Sequence, residues 1–465
     1  MDRRTLLKAA AAGGALLLGR PVGALADTLG PTAEFSTSRA SRLFPGTRLA
    51  HADLHNHTLL SDGDGDAAKA FASMRDSGLD VAALTDHSGT SWGAPTDPCM
   101  GQKDCRSVAG IDEAAWSRTQ ELANSADAPD AFTAIRGFEW SSPVLGHVNV
   151  WFSERWIDPL HTGGVGPEGI GEHFHENFPG IGPAAGPHMD TVTRTNPANT
   201  GMALFYDWLA AAPSRPGLGG GADALAGFNH PGREYGRFGY FRLDPKVRDR
   251  VVSLEMFNRG DDYVFAQHAN GQPSPLSECL DAGWRTGLLG VTDEHGTSWG
   301  YPDGKGRSGL WVTELTRAGV REAMAARRFF ATNLRGLRLD AGAVSGSDAS
   351  GGAAARMGST LKHAKGPVTF AVDLDRGADW WGKPLQAQVL RPGGAVPKVV
   401  HVEDFTVRSD NESVLTFTVD LDVADGSWAV LRIADPTKTN REPGPVGHPC
   451  NALGIAYASP FWLQP

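Results

Sequence analysis

At 465 residues the chain exceeds what one core usually organises, so one large unit and one smaller unit are expected. A composition of 41% hydrophobic, 21% charged and 8% aromatic residues excludes a disordered or fibrous protein. The formal net charge of −10 gives no global attraction to a polyanion, so no nucleic-acid polymer is expected as partner, and an anionic substrate must be drawn in by local cations.

In chain order, Arg3-Arg4-Thr5-Leu6-Leu7-Lys8 precedes an apolar stretch from Ala9 to Leu18 and then Ala24-Leu25-Ala26. This is the charged, apolar and small-residue pattern of an export signal. The paired arginines resemble a twin-arginine signal, with Leu6 in place of its Phe. The apolar run is too short to span a bilayer comfortably, so cleavage after Ala26 and an exported product (secreted, periplasmic or cell-surface) are expected, with no permanent span. A permanent signal anchor is the alternative.

A linker over 27–48 leads to short apolar runs alternating with helix-like stretches. Leu49–Leu54, Val81–Thr85, Phe132–Phe138, His147–Phe152, Leu225–Asn229, Val251–Phe257 and Leu288–Thr292 are predicted strands. Ala67–Ser77, Ile111–Asn124 and Ala318–Arg328 are predicted helices, and the alternation implies an α/β barrel or a parallel sheet. Within it, 154–222 reads as a Gly/Pro-rich insertion, a surface loop or lid, whose His173-Phe174-His175 only mimics a metal pair. From about Leu337, a Gly/Ser/Ala-rich stretch and alternating runs at Val368–Leu374, Leu385–Leu390, Ser413–Val423 and Trp428–Ile433 predict a small all-β domain over 336–465. Cys99 and Cys105 share one loop-like segment and could form a disulfide, or remain free thiols.

Residues 85–93 and 292–300 echo each other: an apolar strand ends in Asp and His and enters Gly-Thr-Ser-Trp-Gly. Two strands delivering ligands to one rim would produce this. In Asp53-Leu54-His55-Asn56-His57 the strand period of two puts both imidazoles on one face, where they could grip one metal. One such pair is a weak signal. Core histidines satisfied by hydrogen bonds are the competing interpretation.

DLHNHTLLSDG at 53–63 followed by GLDVAALTDH at 78–87 resembles the first two motifs of the PHP (polymerase and histidinol phosphatase) superfamily. Gly137-Phe138-Glu139-Trp140, Gly146-His147-Val148-Asn149, Phe228-Asn229-His230-Pro231-Gly232 and Thr292-Asp293-Glu294-His295 resemble its later motifs, in order, over about 49–335. The resemblance implies a distorted (β/α)7 TIM-like barrel with metals at the C-terminal rim of its strands. It assigns one ion to His55, His57, bridging Glu139 and Asp293, a second to Glu139, His147 and His230, and a third to Asp62, His87 and His295; Asp64 or Asp66 could replace Asp62. Two or three divalent ions (Zn, Mn or Fe) suit such mixed N/O ligation. Clustered cations would lower the pKa of a bridging water, giving a metal-bridging hydroxide as nucleophile without a side-chain nucleophile.

Asp53 and Asp86 are expected to orient imidazoles or cap strand ends. Glu255 is expected beside the metals or the substrate, and Trp92 and Trp299 either wall the pocket or simply pack. Arg233 and Arg259 are candidate anion-binding residues, or ordinary surface arginines. The organisation is closest to the CehA/McbA-like branch, which includes aryl carbamate hydrolases. Hydrolysis of a small phosphate ester, the commonest chemistry of the superfamily that the chain resembles, is the expected activity, with Glu139, Asp293 and Arg233 as catalytic residues. An aryl ester or carbamate hydrolase is the first alternative and a non-catalytic surface-binding module the second.

Overall fold

In Arg48–Asp53 (β1) apolar residues fall on both faces of the strand, and Leu49, Ala50 and Ala52 are fully buried. The structure, a computed structural model, describes residues 39–88, 110–142, 145–157, 200–234, 236–301, 304–346 and 354–465. The export signal, Cys99 and Cys105, Trp92 and His173-Phe174-His175 lie outside them.

After β1 come Val81–Leu84 (β2), Thr133–Ser142 (β3), Gly146–Trp151 (β4), Leu225–Phe228 (β5), Val251–Asn258 (β6), Asp261–Asp262 (β7), Gly287–Val291 (β8), Arg307–Val312 (β9) and Phe329–Thr332 (β10). The helices are Ala67–Asp76 (α1), Glu113–Ala126 (α2), Thr200–Ala210 (α3), Pro275–Asp281 (α4) and Arg317–Ala325 (α5). Polar caps start three of them: Asp66, Asp112 and Thr316 accept from the amides of Ala68, Ala115 and Gly319. In α1, Ala67, Ala70, Phe71 and Met74 are buried at helical spacing.

The strands join one large mixed sheet in the order β10-β9-β1-β2-β3-β4-β5-β6-β7, with β8 on the other edge of β6. β1–β2–β3 and β5–β6–β8 are parallel, whereas β4 is antiparallel to both its neighbours. A regular closed barrel ladder is not formed among the described residues, which corrects the expected (β/α)7 barrel. The cause lies at β1, whose second edge is occupied by antiparallel β9 from Arg48 to Ala52. β8 therefore returns to the chain after β1 only at the rim, through the bridge Asn56–Glu294, with His57 N donating to Glu294 O at 2.9 Å and Asp293 N to His55 O at 3.1 Å.

Beyond β10 the elements are strands and short 3₁₀ turns: Arg338–Ser345 (β11), Ala355–Arg356 (β12), Thr360–Lys362 (β13), Lys365–Asp375 (β14), Leu385–Arg391 (β15), Lys398–Phe405 (β16), Val414–Asp422 (β17), Trp428–Thr439 (β18), Ala452–Ala458 (β19) and Phe461–Gln464 (β20). A four-stranded sheet β12-β11-β14-β17 packs Leu339, Val368, Phe370 and Val372 in one core with Ala387, Val389, Leu431 and Ile433 from β15 and β18. The large sheet continues across the expected boundary at 335/336, because β19 pairs with β10.

The insertion expected over 154–222 is not all loop. Its described end, α3, buries Phe205, Trp208 and Leu209 in the main core, where Trp140 stacks on Phe205. The apolar faces of this helix pull it inward, against the assignment of the whole segment to a surface lid.

Candidate metal centre

Past β1 the chain stays extended, so His55 and His57 point the same way while Asn56 faces the sheet, donating from its amide to Thr85 Oγ1 at 3.0 Å and from its side chain to Ala83 O at 3.2 Å. Both imidazoles are fully buried. Asp53 and Asp86 hold backbone instead of imidazoles, which corrects one expected role. Asp53 accepts from Thr292 N and Oγ1, tying β1 to the end of β8, and Asp86 accepts from Thr58 N and Ser61 Oγ, fixing the loop that delivers Asp62.

Glu139, fully buried on β3, stands at the centre. Its Oε1 lies 3.2 Å from His55 Nε2, 3.3 Å from His147 Nδ1 and 3.2 Å from His230 Nε2, and accepts from Asn229 Nδ2 at 2.6 Å. Its Oε2 lies 2.7 Å from His87 Nδ1 and 3.5 Å from His57 Nε2. One carboxylate thus faces two groups of nitrogens.

Asp293 Oδ1 lies 3.6 Å from His55 Nε2, 3.5 Å from His57 Nε2 and 3.3 Å from His295 Nδ1. Asp62 Oδ2 lies 3.4 Å from both His87 Nε2 and His295 Nε2, and its Oδ1 3.6 Å from His57 Nδ1. The structure therefore gathers His55, His57, Asp62, His87, Glu139, His147, His230, Asp293 and His295 into adjoining groups. His57 belongs with Asp62, His87 and His295 as well as with His55 and Asp293, and His55 also groups with Glu139 and His230.

Behind these side chains stand two further carboxylates. Glu255 Oε1 meets His55 Nδ1 at 2.8 Å, while its Oε2 accepts from His230 N at 2.7 Å and Asn258 Nδ2 at 2.9 Å. Glu234 Oε1 lies 2.6 Å from His230 Nδ1. Sequence reasoning found Glu255 as an acid in an apolar strand, but neither Glu234 nor Asn229. Glu234 sits beyond a Pro-Gly turn with no periodicity to orient it, although its spacing of four from His230 was a signal. Each carboxylate can fix the ring and tautomer of its histidine, leaving the opposite nitrogen for a ligand.

The outer edge carries two cations. Arg233 Nη1 and Arg259 Nη2 both reach Asp293 Oδ2, at 3.3 and 3.2 Å; Arg233 Nη2 also pairs with Asp261 at 2.7 Å and Arg259 Nη2 approaches His295 Nδ1 at 3.1 Å. Side-chain exposure rises from 0% at His55 and Glu139 through 26% at Asp62 to 34% at Arg233 and 43% at Arg259, so the cluster opens on the arginine side. His230, Arg259 and Asp293 all adopt positive φ, a conformation costly for non-glycine residues and tolerated where surrounding contacts over-determine it. Trp299 does not wall this opening: it is buried against Gly65 and α1, and its indole donates to His57 O at 3.0 Å.

The donor set fits cations. Ligand atoms about 2.1 Å from one ion lie about 3.0–3.4 Å apart. Most of the contacts above fall in or just beyond that range, including His55 Nε2 to His57 Nε2 at 3.0 Å. His57 Nδ1 and His147 Nδ1 are buried without a hydrogen bond, an arrangement that ions in the adjoining groups would satisfy. Without ions the charges balance through protons. Burial opposes ionisation of Glu139, yet His147, His55 and His87 together hold it well below the usual carboxylate range. Burial also lowers His87 and His230, but Glu139 with Asp62 raises the first to about 10 and Glu234 with Glu139 the second to about 10. His57 is pushed down to about 3 by burial and by His295 and His87.

No protein-family model and no curated protein matches the chain. Among solved structures, a two-domain protein from Bacteroides vulgatus containing a predicted PHP-like metal-dependent phosphoesterase matches at 14% identity and a TM-score of 0.39, covering 91% of this chain and 98% of its own. An amidohydrolase from Chromobacterium violaceum, with bound sulfate and no metal, matches at 16% identity and a TM-score of 0.27, covering 53% of this chain and 88% of its own. At these scores the overlap is too partial to bear on the chemistry of this chain.

Proposed function

We propose that the chain is a metal-dependent hydrolase of the PHP type that cleaves a small phosphate ester. The observation that carries this is the juxtaposition of the buried His/Asp/Glu groups around Glu139 with two guanidinium groups, Arg233 and Arg259, on their open side. Two or three divalent ions (Zn, Mn or Fe) would be held by His55, His57, Asp62, His87, Glu139, His147, His230, Asp293 and His295. When bound, they supply Lewis acidity and a water activated near neutral pH. The chain's own residues do the rest. Glu255 and Glu234 orient His55 and His230, Asp293 is held at Oδ2 by the arginines while Oδ1 faces the histidines, and the free donors of Arg233 and Arg259 receive the non-bridging oxygens of a phosphate.

The CehA/McbA-like alternative, hydrolysis of an aryl ester or carbamate, makes no use of the two guanidinium groups. Metal analysis with a panel of phosphomonoesters, phosphodiesters and aryl esters separates the two. Arg233→Ala is expected to lower kcat/KM on phosphate esters by about 1.5–3 kcal/mol of transition-state binding. Undiminished phosphate ester cleavage in that variant removes the role given to Arg233, and a parent that prefers uncharged esters replaces the phosphate reading.

The α/β unit over 49–335, the β unit over 336–465 and export after cleavage at Ala26 belong to the same proposal. Arg3→Lys with Arg4→Lys is expected to leave the precursor in the cytoplasm; normal secretion of that variant would assign a different route.

A further inference from the structure

The hairpin between β6 and β7 touches the candidate centre with three of its residues. Asn258 donates to Glu255, which holds His55; Arg259 reaches Asp293 and His295; Asp261 holds Arg233. Arg259 sits at the tip with φ of 52°, so this turn does not hold its shape by backbone preference alone.

What fixes it comes from the far end of the chain. The side chain of Asp262, the next residue, is 6% exposed, and its Oδ1 accepts from Tyr457 Oη at 2.7 Å. Its Oδ2 accepts from Asn440 Nδ2 at 3.2 Å and from Arg432 Nη2 at 3.3 Å. Arg432 is itself fully buried and held by Tyr457 Oη, Gln388 Oε1 and Ala452 O, each at 2.8 Å. The approach is close enough that a Cβ on Gly454 would lie 2.3 Å from Asp262 Oδ2, and Phe257 packs its ring against Tyr457. A buried charge pair with this many partners holds one geometry, because losing any partner leaves a charge unsatisfied.

We propose that Asp262 is a positioning residue for the metal centre: Arg432, Tyr457 and Asn440 of the C-terminal strands hold it, and it sets the hairpin that aims Asn258, Arg259 and Asp261. This rests on the metal-centre reading above and gives the C-terminal strands a part in the site. They contribute no candidate ligand; they fix the second carboxylate oxygen of Asp293 and the two guanidinium groups.

The test uses the full chain, with Co²⁺ as metal probe and inorganic phosphate as anion probe. Asp262→Asn keeps the shape and removes the charge. We expect its Co²⁺ absorption bands to shift, its phosphate dissociation constant to rise by about tenfold, within the range seen for outer-shell partners of metal sites, and its melting to stay cooperative. Parental Co²⁺ spectrum and phosphate affinity with a lowered melting temperature would make Asp262 a structural residue only and overturn the proposal. If Asp262→Asn does not fold, Tyr457→Phe, which removes one hydrogen bond to Asp262, decides by the same two readouts. A parent chain that binds no Co²⁺ removes the metal-centre reading itself, an outcome distinct from a variant that binds as the parent does.

Discussion

Glu139 is the residue on which the centre turns, since its two oxygens face different groups of nitrogens within 3.5 Å. Glu139→Gln keeps the volume but offers one weak acceptor and a donor that points at imidazoles. The variant is expected to lose activity and to retain less metal by elemental analysis, with far-UV circular dichroism unchanged. Full metal content would remove the bridging role. Protons and cations compete for the same nitrogens, so pH has a calculable sign. His87 and His230 are raised from 6.5 to about 10 in the cation-free protein, so below that range each must give up a proton to take an ion. Apparent metal affinity should rise with pH by up to about tenfold per unit for each proton released, and level off towards pH 10. The same two protonated histidines stabilise the cation-free fold below about pH 6.5, and that contribution fades as pH rises towards 10. Titration in two buffers of different ionisation enthalpy measures the protons; a pH-independent affinity would contradict the assignment.

At the scale of elements, most of the first strands were legible to within a residue or two because each is a short apolar run bounded by polar residues, as Val81–Leu84 and Val251–Asn258 illustrate, whereas β3 runs on to Ser142, four residues past its expected end. The gathering of the candidate ligands was legible where a strand end delivers them, as at His55, His57, His87, His230, Asp293 and His295, whereas Glu139 lies within β3, His147 near the start of antiparallel β4 and Asp62 on a loop. Less legible were β9, β10, β11, β16 and β19. β16, on a sheet edge, exposes Lys398 and Asp404 and carries no clean alternation, and β19 has alanine or glycine at four of its seven positions, so its identity as strand depends on β10 and β18 far away in the chain. For Asp53 and Asp86 the choice between orienting an imidazole and capping a strand end stays open in sequence, which shows adjacency but not which way a carboxylate turns. Trp299 is a second case, where packing settles an open choice. Its ring fills the space over Gly65, where an added Cβ would lie 2.0 Å from it, and its indole holds His57 O. Trp299→Ala is expected to destabilise the protein by about 3–5 kcal/mol, the usual cost of emptying a site of this size. It should also weaken metal binding, through the loosened carbonyl of His57. Denaturant melts and chelator competition on the same samples measure both; a loss of stability with parental metal affinity would show that the loop before Asp62 is held by its other bonds alone.

For the whole molecule, bound ions act as ligands of the native state only and should raise its stability. At an ion concentration a hundredfold above the dissociation constant the gain is about 2.7 kcal/mol, so removal of ions by a chelator is expected to lower the melting temperature, with recovery when metal is returned. An unchanged melt on chelation would count against a metal-holding native state. Among the described residues no helix is long and apolar enough to cross a membrane. The start of the described chain is bound to its later part. Ser41 Oγ donates to Asp340 Oδ2 at 2.6 Å, Arg42 pairs with Asp410 and donates to Ser413 Oγ at 2.7 Å, and β9 and β10 link β1 to β19.

Those bonds have a chronological meaning. A ribosome releases Ser41 and Arg42 long before Asp340 and Asp410, so the segment ahead of the first strand waits through most of synthesis for the partners that secure it. Nascent chains arrested before residue 400 should be digested readily by protease and should hold no metal, while the released chain resists and loads. Loading of the centre is then expected only once β19 has emerged and paired with β10.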